Sequence, residues 1–477
     1  MTKTLLSAAL MLAAGCVGAE PRWVLHEWGT FTSLQDESGQ AIGGINTDDE
    51  PVPPFVHRPD GFSLINPSEL PPSYFKGVPV CHPDVTMRLE TPVIYFHPPA
   101  GATDIRTASV ALKFNGGWLS EFYPDAGVTV PGYADEHHRF GHLLSTTESQ
   151  LEWTDLKIGG DWPVTNTTAH VWTAPRAVAA ALVQAENGES ERFLFYRGVA
   201  HLDAPLRIAR DSVTGSLVFR SQLEALPTDQ ITLPSLWLVD IQPGGKLAFR
   251  TLPPVTIGRD SGNPLLVTPA AFGRDDYEHG NLAKLKASLQ TALVAGGLYP
   301  DEARALLNTW ELSYFKSPGL RVFFLVPRTW TDFYLPLTTS LPADLNRVMV
   351  GRIELVTPAQ RNNLLELAHY PTNVISREAG QLVQDFFGPM SLAATNNLAA
   401  DRAMQRVNQE FEQVGTGLKP LSAFVSIPKT YRTYLDLGRF RNALILDEAK
   451  RQPTEGLAQL IANYRLQAYQ PPDPTGK

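Results

Sequence analysis

Ser109-Val-Ala-Leu-Lys-Phe-Asn-Gly-Gly-Trp-Leu-Ser-Glu-Phe-Tyr123 is the stretch from which the fold is read. Val110, Leu112 and Phe114 alternate with less apolar residues, so they share one face of a strand. Asn115-Gly116 supplies the positive φ that a two-residue turn needs. The spacing therefore predicts a hairpin of Ser109–Phe114 with Gly117–Tyr123.

Outward from that hairpin the period stays near two. Trp23–Phe31 reads as a first strand, and Met87–His97 as another with Pro92 marking an edge or a bulge. Further strands are expected at 150–158, 169–172, 192–198, 206–210, 216–220, 236–241 and 246–251. Residues 34–80 are rich in Pro and Gly and read as a long irregular insertion. Near Gly273 the period changes to 3.6. Leu282, Leu285, Leu289 and Leu293 line one helix, Pro300-Asp301-Glu302 opens the next, and Thr357-Pro-Ala-Gln360 forms a capping box. Strands are expected again at 320–326 and 347–355, then helices near 376–387, 400–414, 430–449 and 454–468.

The expected class is α+β: an N-terminal antiparallel β-sandwich over 20–260, then an α-rich or α+β part over 270–470 and a tail over 471–477. The alternative is one interlocked domain in which 320–355 adds strands back to the sheet.

Residues 1–19 have the layout of an export signal. Lys3 precedes an apolar run from Leu5 to Ala14, which is too short to span a membrane. Val17-x-Ala19 fits ordinary cleavage. Ala13-Ala14-Gly15-Cys16 also fits a lipobox, in which Cys16 would be acylated and become a lipid anchor. The expected location is the periplasm, the outer membrane surface or the medium. Of the two cysteines only Cys81 would then keep its thiol, read as a small buried hydrophobe. The net charge of −9, without a basic run, argues against nucleic-acid binding. No second stretch has the length and apolarity of a transmembrane span.

Several stretches carry a resemblance: His26-Glu-Trp-Gly-Thr-Phe-Thr-Ser33, Glu90-Thr-Pro-Val-Ile-Tyr-Phe96, Trp118-Leu-Ser-Glu-Phe-Tyr-Pro124, Phe193-Leu-Phe-Tyr-Arg-Gly198, the segment 319–328 and Arg347-Val-Met-Val-Gly-Arg352. Together they resemble an uncharacterised family of secreted bacterial proteins with HEWGTFTS and ETPVxYF motifs. The resemblance spans most of the mature chain. It implies export and a shared fold, and brings no activity with it.

Candidate chemistry rests on a few side chains. His26 and Glu27 face opposite sides of a strand, so they cannot converge on one metal, although His26 can join a site built from distant strands. Glu136, His137, His138 and His142 form the densest run of metal-ligand types, weighed against an exposed polar loop. His57, His82 and His97 flank the irregular region and are candidates to meet in space. Glu90, Glu121 and Glu311 lie among apolar residues and are candidates for the paired carboxylates of glycoside hydrolysis. Arg328 and Asp332 bracket a turn-like Thr-Trp-Thr as a candidate salt bridge that would pin that loop. There is no Gly-x-Ser-x-Gly elbow, phosphate-binding glycine loop or Cys-x-x-Cys. No cofactor motif is present, and a divalent metal is the one cofactor candidate.

Two functions follow. The first is a non-enzymatic envelope or extracellular protein that binds a surface polymer, such as a glycan, or another protein. The alternative is a secreted hydrolase using a metal or paired carboxylates. Cys16→Ser should abolish membrane association if the lipobox operates and leave an exported protein unchanged if cleavage follows Ala19. The intact mass of the mature N-terminus separates the two.

Overall fold

The structure is a computed structural model that describes residues 22–47, 51–59, 74–135, 139–222, 228–259, 262–387, 403–404, 406–408, 411, 427–466 and 468–472. It is a mixed α+β chain. Its main strands are β1 (Trp23–Gln35), β2 (Met87–His97), β3 (Arg106–Asn115), β4 (Gly117–Tyr123), β5 (Glu148–Ile158), β6 (Leu194–Ala200), β7 (Leu236–Ile241), β8 (Leu247–Leu252), β9 (Gly319–Val326) and β10 (Ala343–Leu355). Its main helices are α1 (Asn281–Ala295), α2 (Pro300–Thr309), α3 (Glu311–Phe315), α4 (Arg328–Tyr334), α5 (Pro358–Ala368), α6 (Thr372–Phe387), α7 (Lys429–Asp436), α8 (Arg441–Arg451) and α9 (Glu455–Asn463).

An eight-stranded sheet runs in the order β8-β7-β9-β10-β1-β2-β6-β4. Within it β1 pairs antiparallel with β2 and parallel with β10, in continuous register from Trp23↔Ala343 to Gln35↔Leu355. Thus 319–355 enters the sheet that residues 20–260 were expected to complete alone. β2 is central, not an edge. Pro92 is accommodated by a bulge: the register with β1 slips between Trp28 and Thr30, beside it.

A second, six-stranded sheet is built around β5 and β3, with Leu337–Thr339 on the outer side of β3. The expected hairpin is corrected here. The Asn115-Gly116 turn is present, with Gly116 at φ 86°, but β3 pairs with β5 while β4 pairs with β6. The turn carries the chain from one sheet to the other. The reason lies in its hydrogen bonds: Gly116 donates to Thr147 and accepts from His201 instead of closing a ladder on itself.

Alternation decides what each face of the large sheet covers. Leu25, Phe31, Leu89, Ile94 and Phe96 share one apolar cluster with Val110, Leu112, Leu151, Trp153 and Leu156 of the second sheet. The opposite face is covered by helices in two places. Trp28, Val93, Tyr95 and Trp237 pack with Leu285, Leu289, Leu306 and Trp310 of the α1–α3 region. Leu34, Trp118 and Val199 pack in a cluster with Leu364 of α5, Leu382 of α6, and Tyr431 and Leu444 farther on.

The helices follow their periodicity. The capping box at the start of α5 is formed as expected: Gln360 N–H donates to Thr357 Oγ1 at 3.2 Å and Thr357 N–H to Gln360 Oε1 at 2.9 Å. Three expectations are corrected. Residues 169–172 are not a strand; His170–Thr173 is a helical turn running into Pro175. Arg328–Tyr334 is a helix, not a turn. The single helix expected over 430–449 is two, separated at Gly438 with φ 84°. The helix expected over 400–414 falls mostly outside the described residues.

Close packing makes two glycines opposite in sign. A Cβ on Gly198 would lie 2.1 Å from the Trp118 carbonyl oxygen, whereas one on Gly380, inside α6, would meet nothing within 4 Å. Gly198→Ala should cost about 1–3 kcal/mol. Gly380→Ala should stabilise by about 0.5–1 kcal/mol. Urea unfolding midpoints measure both.

Candidate functional site

The sheet brings two histidines together. In the β1–β2 register His26 is opposite Tyr95 and His97 opposite Val24, so the two are diagonal neighbours on one face. Their ring centroids are 5.2 Å apart. Helix α2 then places Glu302 between them. His26 Nδ1 lies 2.7 Å from Glu302 Oε2, and His97 Nε2 lies 2.8 Å from Oε1.

Glu302 is oriented by the start of its own helix. It is the third residue of α2 and reaches back to accept from Tyr299 N–H at 2.7 Å, half of a capping box. The neighbouring Asp301 accepts from Ala179 N–H at 3.0 Å, tying the helix start to the 175–181 segment. Exposure is 4% for His26, 7% for His97 and zero for Glu302. The Tyr299 ring lies 4.5 Å from His26 and 4.7 Å from His97, and is itself 41% exposed. It is the part of the assembly that meets solvent.

Burial pushes the Glu302 carboxyl up. The hydrogen bonds from His26 and His97, the His26 charge and the Tyr299 N–H outweigh that and hold it below the usual carboxylate range. One ligand atom from each of the three residues lies within 4.8 Å of the other two. Two imidazoles and a carboxylate are a donor set suited to zinc and similar ions. Among the described residues it is the group with this geometry. An open cleft of about 420 Å³ is built on the same segments: it is lined by Trp23, Pro98, Asp104, Ala179 and Arg192 among others.

The remaining candidates go elsewhere. Glu90 is fully buried and bound by arginines: Arg88 at 2.8 Å, Arg439 at 3.3 Å and Arg352 at 3.8 Å, with the Thr32 and Tyr314 hydroxyls donating at 2.8 and 2.7 Å. Burial raises its pKa. Arg88, Arg352, Lys76 and the Tyr314 hydroxyl overcome this and take it down to about 2. Glu121 is buried between Arg197 and Arg58 and is lowered too, against its own burial, by those two cations. Neither has the raised pKa of a general acid. Glu311 is partly exposed and pairs with Lys316 at 2.9 Å and Lys286 at 3.3 Å.

Arg328 and Asp332 do form an ion pair, at 3.1 Å, one turn apart on α4, and Asp332 also meets Arg347 at 2.9 Å. His142 pairs with Asp84 at 2.9 Å on the surface. Glu136, His137, His138 and Cys16 lie outside the described residues. His57 binds Glu189, and His82 stacks on Tyr469 and faces the Gly141 carbonyl, so of the three flanking histidines His97 is the one that reaches His26. Cys81 is buried.

Tyr299 and Glu302 carry the site without having been singled out for it, and His97 was a candidate only alongside His57 and His82. The signal was local: a His ending one strand, and an acid in the first turn of a helix. Nothing in the residues states which strands are neighbours.

No family model matches the chain, and no curated protein matches it. Two of the solved structures that resemble it distantly are mu-homology domains. One is the Fcho1 mu homology domain from Danio rerio with bound Eps15 peptide, at 10% identity, 70% of this chain, 95% of that chain and a TM-score of 0.26. The other is the yeast delta-COP-I mu-homology domain complexed with a Dsl1 WxWxV peptide, at 9% identity, 70%, 96% and 0.23. At such scores neither bears on ligand or mechanism.

The charge belt sets an acid limit. The folded pKa of Glu90 is depressed from about 4.5 to about 2. Its stabilisation is therefore complete above about pH 4.5 and is lost as pH falls through about 2. Glu90→Gln should cost about 3–5 kcal/mol at neutral pH by stranding buried arginines, and should flatten the fall in urea midpoint between pH 4.5 and 2.

Proposed function

We propose that this is an exported protein that holds a divalent transition metal, zinc by preference, at His26, His97 and Glu302. The observation that supports the reading is one buried carboxylate hydrogen-bonded by two imidazoles carried on adjacent strands. Buried charge is costly unless paired or metal-bound, and here the three groups bring ligand atoms within 4.8 Å of one another. Metal uptake would displace the protons on the two inward ring nitrogens, so affinity rises with pH.

Of the two functions read from the sequence, the metal-dependent hydrolase is the one this constellation favours over polymer binding. Structural zinc sites have four protein ligands, and catalytic ones have three with a position left for water. Among the described residues the two imidazoles and the carboxylate make three. The metal would supply an activated water. Tyr299, against both rings and open to solvent, would gate access, and the cleft bounded by Trp23, Asp104 and Arg192 would hold substrate. We read the two sheets as the faces of a β-sandwich, with the site on the helix-covered side of the larger one.

Purified, chelator-treated protein should take up one equivalent of zinc, measured by elemental analysis after dialysis. His97→Ala and Glu302→Gln should each weaken that uptake at least about 100-fold, comparable with or beyond outer-shell losses at such sites, while His142→Ala should leave it unchanged. Equal uptake by all four proteins would refute the site. A screen against ester, amide and phosphoester substrates, with Tyr299→Ala alongside, tests the hydrolytic reading.

A further inference from the structure

The open cleft of about 420 Å³ carries two opposite charges that do not neutralise each other. Asp104, exposed, and Arg192, partly buried, both line it. Among the described residues neither side chain forms an ion pair, and the Asp104 carboxylate accepts no hydrogen bond. Arg192 is held by one neutral contact, Nη1 donating to the Ala180 carbonyl at 2.9 Å. That contact leaves the Nε–Nη2 edge, the fork that matches a carboxylate.

The rest of the lining is uncharged and mostly small. Ala179, Ala180, Gly159 and Gly160 leave room between the charges and add none of their own. Gly159 holds a φ of 95°, which side chains rarely adopt, so that part of the wall stays bare. Short links tie the cleft to the histidine cluster. Pro98, in its wall, follows His97, and Ala179 N–H donates to Asp301, the neighbour of Glu302, at 3.0 Å.

A neutral ligand would partly desolvate both charges and meet neither, which costs free energy. A ligand with its own carboxylate and ammonium meets both. We propose that this cleft binds a short peptide with both termini free and small uncharged side chains. Arg192 takes the C-terminal carboxylate, and Asp104 takes the N-terminal ammonium. The volume falls in the range of small-molecule sites, about 300–1,000 Å³. That such peptides are also the substrates rests on the zinc reading above. Hydrolysis would break the amide C–N bond, with water supplying the new carboxylate oxygen and both its protons ending on the leaving nitrogen.

Calorimetric titration of the purified, chelator-treated protein with Ala-Ala tests the binding without metal. Ala-Ala should bind saturably. N-acetyl-Ala-Ala and Ala-Ala-amide should each bind at least about 10-fold more weakly, the loss of one charged hydrogen-bonded partner. Arg192→Gln should erase the penalty for the amide and keep the penalty for acetylation, and Asp104→Asn should do the reverse. Zinc-loaded protein should release free alanine from Ala-Ala. No saturable binding, equal affinity for the blocked peptides, or a preference for a disaccharide such as maltose would overturn the ligand. Binding without alanine release by zinc-loaded protein would overturn the substrate assignment. Absence of zinc uptake with the binding pattern intact would support this ligand while refuting the zinc reading.

Discussion

The pairing of Trp23–Gln35 with two neighbours at once governs this structure. On one side lies Met87–His97 and on the other, in parallel, Ala343–Leu355. A slip of one residue would turn every side chain of the strand to the other face. The observed register places His26 beside His97, Thr32 within 3.0 Å of Arg352, and Glu27 against Arg347 and Tyr196. The partners at Arg347 and Arg352 come from about 320 residues along the chain. A buried charge network can therefore form only once the front strands and the late strands share one sheet.

That sheet has an unequal pair of faces. One is an apolar interior shared with the second sheet. The other has apolar clusters at both ends and a charged belt between them. Burying ions seldom adds net stability over an apolar alternative, but stranding one partner is costly. The belt thus acts as a constraint on assembly: Arg439, from the connection between α7 and α8, and Tyr314, from α3, must both arrive at Glu90 for its charge to be met. The His26–Glu302–His97 cluster obeys the same rule with groups that can exchange protons for a metal.

Much of the fold was legible. The periods of two and 3.6, the Thr357 capping box and the Pro300 helix start are local signals with local causes, and they appear where the residues indicate. The Asn115-Gly116 turn was equally legible, yet its hairpin was not, since a turn states a change of direction and not a hydrogen-bond partner. The site was half legible. His26 stood out and His97 was one of three flanking histidines with no sign of which would reach it, but Glu302 reads as an ordinary first-turn acid. Their convergence depends on strand order and on where α2 docks, neither of which leaves a periodic trace. Glu90 and Glu121 looked like catalytic carboxylates because they lie among apolar neighbours. Of the arginines that hold them ionised, Arg88 lies two residues from Glu90 on the same strand, whereas Arg352, Arg439, Arg58 and Arg197 come from distant segments.

Zinc-edge X-ray absorption on the zinc-loaded protein tests the central claim most directly. The account predicts a shell of two imidazole nitrogens at about 2.0–2.1 Å and a carboxylate oxygen at about 2.0–2.2 Å, with imidazole scattering reduced by one ring in the His97→Ala protein. A sulfur shell near 2.3 Å, or a spectrum of hydrated zinc unaffected by that substitution, would contradict it.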